Sequence, residues 1–391
     1  MSELYFHRFL LAASAAALLC ACGDDGDDGD AGADGPAAVA DACAIADGTE
    51  VNFDPRDERC QKLSSYRFFV GNPADQVPNQ RVVPYDLTTP LYADYTVKYR
   101  FVYLPEGTSM TYHERESFDL PVGAVLIKTF ADTDDLRQPA GARTLLETRL
   151  LYRDEDGWAA ETYVWDGAQS EATQAIAGAN IDAQWVHSDG QVRTLNYSVP
   201  NQNQCKNCHE ERDDLVGPLG PKARYLNRQV PVAGQPRDQL QHLAELGLVT
   251  GLPADPAAIP RAPVWDDPAT GSLDERARAW LDMNCAHCHN PRGAARTSGL
   301  DLSFDQDSPY EFGVCKGPVA AGGGSGGFLY NIVPGQPDQS ILVYRLETDK
   351  PDERMPEVGR QLQDEEGVAL IREWIAAMEP DECGGSDAAP E

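Results

Sequence analysis

The pentapeptide Cys-x-x-Cys-His occurs twice in this 391-residue chain, in "QNQCKNCHEE" at 202–211 and in "DMNCAHCHNP" at 282–291. Two thiols at this spacing add across the two vinyl groups of haem and form thioether bonds, and the histidine that follows becomes the proximal ligand of the iron. The spacing therefore predicts two covalently bound haem c groups. Their predicted attachment residues are Cys205, Cys208 and His209 for the first, and Cys285, Cys288 and His289 for the second.

Two other chemistries use paired cysteines. Four thiolates from two Cys-x-x-Cys pairs form a structural zinc site, but zinc leaves the histidine after each pair unexplained. A thioredoxin-like redox pair belongs in a βαβ context, and the sequence predicts no such context here. His287 lies inside the second pentad, and the loop geometry that aims His289 at the iron points His287 elsewhere. Haem is therefore the preferred interpretation.

The distal ligand of the second haem is predicted to be Met355, in "DERMPEVG". A thioether on the iron favours Fe(II) and so raises the reduction potential. Met378 continues the apolar stripe of a predicted helix, and Met283 lies two residues before Cys285, too close to reach across the iron. The segment 292–335 makes the interval before Met355 long, and we expect it to loop outward.

The distal side of the first haem is less defined by the sequence, because no methionine follows the first pentad within its own half of the chain. The candidates are Met110, His113, His187 and His242. His187, in "WVHSDG" on a predicted hairpin near the pentad, is carried forward as the candidate ligand. The alternative is that this iron has no distal protein ligand. In that case Lys128 becomes of interest, although a strand lysine that only extends its amine to water explains it equally well.

The first 21 residues form a predicted signal peptide. A basic start precedes an apolar run that is too short to span a bilayer and has the length of a signal-peptide core. The run ends in "LCAC", which resembles a bacterial lipobox and predicts cleavage before a lipid-bearing Cys22. An ordinary signal peptide that is cut nearby is the alternative. Gly23 replaces the aspartate that would retain a lipoprotein at the inner membrane, which favours the outer membrane and a periplasm-facing protein.

Charge limits the partners. The chain carries 63 acidic and 32 basic residues, for a formal net charge of −31. Such a surface repels nucleic acid and anionic lipid and attracts a basic docking face. Residues 22–42 are rich in Gly and Asp and are predicted to be a flexible tether between the lipid and the folded part.

Residues 43–263 are predicted to form an antiparallel β domain that carries the first haem. Runs rich in Val, Tyr, Phe, Leu and Thr recur between turn signals at 95–104, 123–130, 144–153 and 159–165. "DEDGW" joins the last two as a hairpin. One helix is expected near the end of this domain, at 237–247, with Leu240, Leu243 and Leu246 facing inward.

Residues 264–383 are predicted to form an all-α domain that carries the second haem, and 384–391 a disordered tail. Its first helix, 272–284, starts with a capping box of Ser272 and Glu275. Its last helix, 364–378, has an apolar stripe. The predicted fold class is therefore α+β and multidomain.

Four cysteines remain after lipid and haem are assigned, namely Cys43, Cys60, Cys315 and Cys383. Four cysteines allow three pairings, and the periplasm is oxidising. Proximity favours Cys43–Cys60, which leaves Cys315–Cys383 to tie the long loop to the end of the last helix. Free buried thiols are the alternative.

The stretch 264–380 resembles a class I cytochrome c domain in the order of "ARAWLDMNCAHCH", "DERMPEVG" and "LIREWIAAM". Most of the chain looks like a family of large dihaem c-type cytochrome lipoproteins, through "TTPLYADYTVKYR", "PVGAVLIKTF", "LLETRLL", the two pentads, "VPGQPDQSILVYRL" and "RMP". This resemblance implies electron transfer in the cell envelope and no specific substrate. A weaker likeness, to small β-sheet c-type cytochromes with a five-coordinate haem, implies an open first iron.

Two functions are compatible with these features. The first is a membrane-tethered electron carrier that relays single electrons between envelope proteins, with no catalytic residue. The alternative is an oxidoreductase that reduces peroxide or oxidises small nitrogen compounds at an open, high-spin first haem. A purely structural adhesion module is disfavoured, because it would leave two haems without a use.

Overall fold

A six-stranded antiparallel sheet organises the N-terminal half of the computed structural model, with its strands in the order Val82–Pro84, Val97–Tyr103, Val125–Thr133, Arg143–Arg153, Trp158–Trp165 and Ala172–Gln174. The structure describes residues 43, 48–138, 141–212, 215–319, 321–381 and 383, without the side chains of 206–208, 210–212 and 215. The signal peptide, Cys22, the tether and the tail lie outside the described residues.

The strands are β1 Val82–Pro84, β2 Val97–Tyr103, β3 Met110–Thr111, β4 Val125–Thr133, β5 Arg143–Arg153, β6 Trp158–Trp165, β7 Ala172–Gln174, β8 Ala179–Val186, β9 Val192–Val199, β10 Glu210–Arg212, β11 Leu215–Val216, β12 Gln229–Val232, β13 Gln235–Asp238 and β14 Val249–Thr250. The helices are α1 Gln202–His209, α2 Ala223–Leu226, α3 Gln239–Glu245, α4 Leu273–Leu281, α5 Pro309–Phe312, α6 Ile341–Glu347 and α7 Glu365–Ala376.

The sheet separates two apolar cores because side chains alternate between its faces. On one face, Phe101, Ile127 and Leu150 pack with aromatic residues of the 60–69 segment. On the other, Leu126 and Leu151 pack under α2 and α3. The four predicted strands are confirmed as β2, β4, β5 and β6, and the hairpin between the last two is confirmed as well.

The C-terminal half is built around α4 and α7, which were both predicted. Ser272 and Glu275 form the expected capping box at the start of α4. Trp280 of α4 donates its indole N–H to Asp364 at 3.1 Å, and Trp374 of α7 donates to Asp274 at 2.8 Å. These crossed bonds fix how the two helices lie together.

Two local expectations are wrong. Leu246 is 49 % exposed rather than inward-facing, because α3 ends at Glu245 and Gly247 turns the chain with a positive φ. The 292–335 segment does not simply loop outward. Leu302, Phe312 and Ile332 from this segment are buried in the same core as α4 and α7, because burial there removes their apolar side chains from water.

The two halves meet through hydrogen bonds that join distant parts of the chain. Tyr92 donates its backbone N–H to the side chain of Asn284 at 2.7 Å. Asp94 accepts the backbone N–H groups of Gln361 and Leu362, each at 2.8 Å. The described residues of 41–391 accordingly belong to one compact unit. Its architecture is mixed α and β, with a large antiparallel sheet region in the N-terminal half.

Candidate functional site

The second pentad lies at the end of α4. After Leu281 the helix continues through one π turn, Asp282–Ala286, which contains Cys285. Single π turns inside helices frequently mark functional sites. The turn changes the direction in which the following residues leave the helix.

Backbone contacts hold the pentad tightly. His289 donates its N–H to the carbonyl of Cys285 at 2.9 Å, and its own carbonyl accepts the N–H of Leu302 at 2.9 Å. Gly293 lies directly against the carbonyl of Cys288, where any side chain would collide. These contacts fix the position of the His289 backbone.

The ring of His289 is also oriented. Its Nδ1 lies 3.0 Å from Oγ of Ser298. A histidine that ligates a metal almost always donates its other ring N–H to such a partner. Burial, and then the charge of Arg345, lowers the pKa of His289 to about 4. At neutral pH the imidazole is therefore neutral, which is the form in which a histidine binds a metal.

A cavity of about 580 Å³ opens beside this ring, and we call it the Met355 cavity. Its lining includes Cys285, Cys288, His289 and Met355. Apolar side chains make up most of the rest, among them Leu300, Leu302, Phe312, Ile332, Ile341, Leu342 and Leu346. The volume lies in the range of about 300–1,000 Å³ that is typical of ligand and cofactor sites.

The Met355 loop is held at the cavity by two arginines. The N–H of Met355 donates to the carbonyl of Arg345 at 2.8 Å. Arg360 donates from Nη1 to the carbonyl of Met355 at 2.6 Å. The donor set, two thiols, a neutral imidazole and a thioether around an apolar cavity, fits a covalent haem c with His and Met ligands.

The other methionines of the described ranges, Met110, Met283 and Met378, pack elsewhere. Met110 is 1 % exposed in the core under α2 and α3. Met378 packs against the core of α4 and α7, as its place in the helix stripe predicted. Met283 packs against a small cluster that includes Tyr225 and Ala279. Met355 is therefore the methionine that the structure brings to the second pentad.

The first pentad ends a short helix, α1, that begins at Gln202. The Cys208 side chain lies outside the described residues. Nδ1 of His209 lies 2.9 Å from the carbonyl oxygen of Gly217, and the N–H of Gly217 donates back to the carbonyl of His209 at 2.7 Å. Because a carbonyl only accepts, Nδ1 carries the proton and Nε2 remains available as a ligand.

The surroundings of His209 differ from those of His289. Burial lowers the pKa of His209 to about 4, and the charges of Lys128 and Arg149 act in the same direction. Burial raises the pKa of the Cys205 thiol, while the charge of Arg149 opposes this shift. Cationic side chains of the sheet thus face the first pentad.

The predicted distal candidates of the first haem are dispersed. His187 is 1 % exposed, packs its ring 4.6 Å from that of Tyr95, and has Nε2 3.7 Å from Glu365. His113 is exposed, and His242 is half-buried on α3. The described contacts of His187 are with residues outside the first pentad, whereas Lys128 acts on His209.

The two pentads are neighbours in space. Burial lowers the pKa of His287 to about 3, and the charges of His209 and His289 lower it further. The segments that follow the pentads also meet on one loop. Glu116 forms an ion pair with Arg292 at 3.2 Å, and Ser117 donates to the carbonyl of Pro218 at 3.0 Å. His287 thus lies within electrostatic reach of both proximal histidines.

The four remaining cysteines pair as their spacing favoured. One disulfide joins Cys43 to Cys60, and the other joins Cys315 to Cys383. The second closes a 68-residue separation and ties the inserted segment to the chain after α7. The alternative of free buried thiols is wrong for these four residues.

Several residues of the site were not identified from the sequence. Ser298 and Gly217 each position the histidine of a pentad, and Arg345 both lines the Met355 cavity and holds Met355. The sequence gives only a weak signal for these residues, because each acts through a contact with a ligand-candidate residue that forms only once the chain has folded. Ser298 follows His289 by nine residues, and Gly217 follows His209 by eight. This similar separation in sequence is the feature from which the two partners could have been predicted.

Neither a membrane-crossing helix nor a cluster of three or more His, Cys, Asp or Glu side chains suited to a metal ion occurs within the described ranges. Comparison of the chain with protein-family models, with curated proteins and with solved structures gave no match.

Proposed function

We propose that the chain is a dihaem c-type cytochrome, related to the large dihaem lipoproteins that its motifs resemble, and that it relays single electrons in the bacterial cell envelope. The observation that carries this proposal is the Met355 cavity, where both thiols of the second pentad, His289 and Met355 line one apolar space. When bound, haem supplies a one-electron Fe(III)/Fe(II) couple. The residues of this chain hold it, orient its ligands and exclude water.

The two pentads and the lining of the Met355 cavity support an assignment of residues. Cys285 and Cys288 would attach the second haem, with His289 as its proximal and Met355 as its distal ligand. Cys205 and Cys208 would attach the first haem, with His209 as its proximal ligand. The carbonyl of Gly217 keeps the proton on Nδ1 of His209, which leaves Nε2 available as a ligand, and Ser298 holds the ring of His289 through Nδ1.

The neighbouring positions of the pentads support a relay. His287 lies within electrostatic reach of both proximal histidines, and the segments after the two pentads share the 116–117 loop. An electron that enters at one centre would therefore have a short path to the other.

In this proposal residues 264–383 form the cytochrome c-like part, and 43–263 the β-rich part with the first haem.

The N-terminal sequence supports a location in the cell envelope. Cys22 would carry the lipid that holds the protein at the outer membrane, facing the periplasm, and residues 22–42 would serve as the leash. The net charge of −31 favours redox partners with a basic docking face. Replacing Cys22 by Ser should release a haem-bearing protein into the soluble periplasmic fraction, and continued fractionation with membranes would contradict the lipid assignment.

A second candidate is an oxidoreductase whose first haem is open and reactive. It is favoured by the surroundings of His209, whose pKa is lowered by the charges of Lys128 and Arg149. Optical and EPR spectra of the purified protein distinguish the two functions. Two low-spin, six-coordinate irons support the relay, whereas a high-spin first iron that binds carbon monoxide or nitric oxide supports catalysis.

A further inference from the structure

Three basic side chains form one row across the central strands of the large sheet. Arg100 of β2 lies directly opposite Lys128 of β4, and Lys128 lies directly opposite Arg149 of β5. We call these three residues the cation row. Directly opposite residues have Cβ atoms about 5 Å apart, and like charges in such pairs are destabilising. The row therefore costs stability unless an anion offsets it.

The cation row lies at the border of an apolar core. On each of the three strands, the residue two positions from the cation row lies on the same face of the sheet as the row. These residues are Val102, Leu126 and Leu151, and all three are buried in the core under α2 and α3. Arg100 is itself only 6 % exposed, and its Nη2 has no hydrogen-bond partner in the described part of the chain. A buried guanidinium N–H without an acceptor is costly, and it marks a place where an acceptor is expected.

The protein neutralises only part of this charge. Arg149 pairs with the buried Glu147 at 2.5 Å, and Arg100 lies 3.6 Å from Asp86. Asp86 is also held by Arg228 at 2.8 Å. Lys128 has no carboxylate within ion-pair distance among the described residues, and its amine lies 4.8 Å from the centre of the Phe130 ring.

Desolvation adds to the repulsion around Lys128. Burial lowers the pKa of Lys128 well below its usual range, and the charges of Arg100 and Arg149 lower it further. An anion bound here would reverse both effects. Gln202, at the start of α1, donates to Glu161 of β6 at 2.8 Å, and Thr162 of β6 lies directly opposite Arg149. The first pentad therefore lies beside the strands of the cation row, and the charges of Lys128 and Arg149 lower the pKa of His209.

We propose that Arg100, Lys128 and Arg149 form an anion-binding site beside His209, whose ligand is a carboxylate or a small inorganic oxyanion. Two sources supply this chemistry. The propionates of a haem attached at Cys205 and Cys208 would fill the site from within, and a free oxyanion such as nitrite would reach it as a substrate or effector. The first source rests on the proposed function, whereas the site itself rests on the strand register and the unpaired charge.

The test compares the full-length protein with Lys128→Gln. Lys62→Gln is the matched control, because Lys62 is exposed and the charge change is the same. Haem content is measured first. Sodium nitrite is then titrated calorimetrically at constant ionic strength, and the midpoint potential of each haem is measured optically. Because Lys128→Gln removes a like-charge contact, we expect it to fold, and Lys128→Met provides a second variant of similar length.

If the unsubstituted protein binds nitrite, and this binding weakens at least tenfold in Lys128→Gln but not in Lys62→Gln, the result supports the site with a free oxyanion as its ligand. Absence of nitrite binding, together with a lower first-haem potential in Lys128→Gln alone, supports the site with propionates as its ligand, because removal of a nearby positive charge favours Fe(III). The proposal is overturned if both properties equal those of Lys62→Gln. Protein without haem refutes the proposed function instead, and the calorimetric comparison still tests the site.

Discussion

Nδ1 of His289 lies 3.0 Å from Oγ of Ser298, and the same oxygen accepts the N–H of Leu300 at 3.2 Å. The second contact holds the serine oxygen in place, where it can accept the Nδ1–H of the imidazole in the tautomer whose Nε2 is free to bind a metal. Such a partner fixes the ring orientation of a ligating histidine and raises its basicity. A more basic ligand stabilises Fe(III) relative to Fe(II).

Replacing Ser298 by Ala should therefore raise the midpoint potential of the second haem. We expect a shift on the order of tens of millivolts, given that about 59 mV corresponds to a tenfold change for a one-electron couple. Potentiometric titration of both haems measures it. Thr297→Ala is the control, since Thr297 lines the same cavity and is exposed. Equal potentials in Ser298→Ala and the unsubstituted protein would refute the role of Ser298.

Replacing Met355 by Ala should remove the thioether charge-transfer band of Fe(III), open the second iron to exogenous ligands and lower its potential. Axial ligands tune haem potentials over about 0.8 V, so this shift should exceed that of Ser298→Ala. Near-infrared absorption and a redox titration measure both effects. The first haem should be unchanged, because Met355 belongs to the cavity of the second pentad.

Met378→Ala is the control for this substitution, as Met378 packs in the core of α4 and α7. It should keep the charge-transfer band while destabilising the fold. Survival of the band in Met355→Ala would identify a different methionine as the ligand. A change in both haems would mean that the two centres share one pocket.

The two disulfides should contribute unequally to stability. In the chain-entropy model, loops closed by separations of 17 and 68 residues differ, at about 3 and about 4 kcal/mol respectively. Replacing both Cys315 and Cys383 by Ala should thus lower the free energy of unfolding more than the same change at Cys43 and Cys60. Urea unfolding followed by circular dichroism compares the two variants. Two reactive thiols among these four cysteines in the unfolded, unreduced protein would contradict one pairing, and four would contradict both.

Much of the fold could be predicted from local patterns. The strands β2, β4, β5 and β6 follow from alternating β-branched and aromatic residues, and α4 and α7 follow from a capping box and an apolar stripe. These signals are local, so they survive without knowledge of the tertiary structure. The burial of part of the 292–335 segment could not be predicted from local patterns, because Leu302 and Ile332 are buried by contacts with helices that are distant in sequence.

The candidate site shows the same division. The pentads and Met355 have types and spacings that indicate chemistry on their own. The role of Ser298 depends on a turn that brings it back to His289, and the cation row depends on the register of three strands. In sequence order Arg100, Lys128 and Arg149 are separated by more than twenty residues each, and no local pattern connects them.

The most direct test of this account is the number of haems that remain covalently attached to the denatured protein. Purified full-length protein is unfolded, extracted with acidified acetone, and assayed by the pyridine haemochrome spectrum and by intact mass. We predict two haems per chain, and one after Cys205 and Cys208 are both replaced by Ala. A preparation that contains zinc and no attached haem would contradict the account.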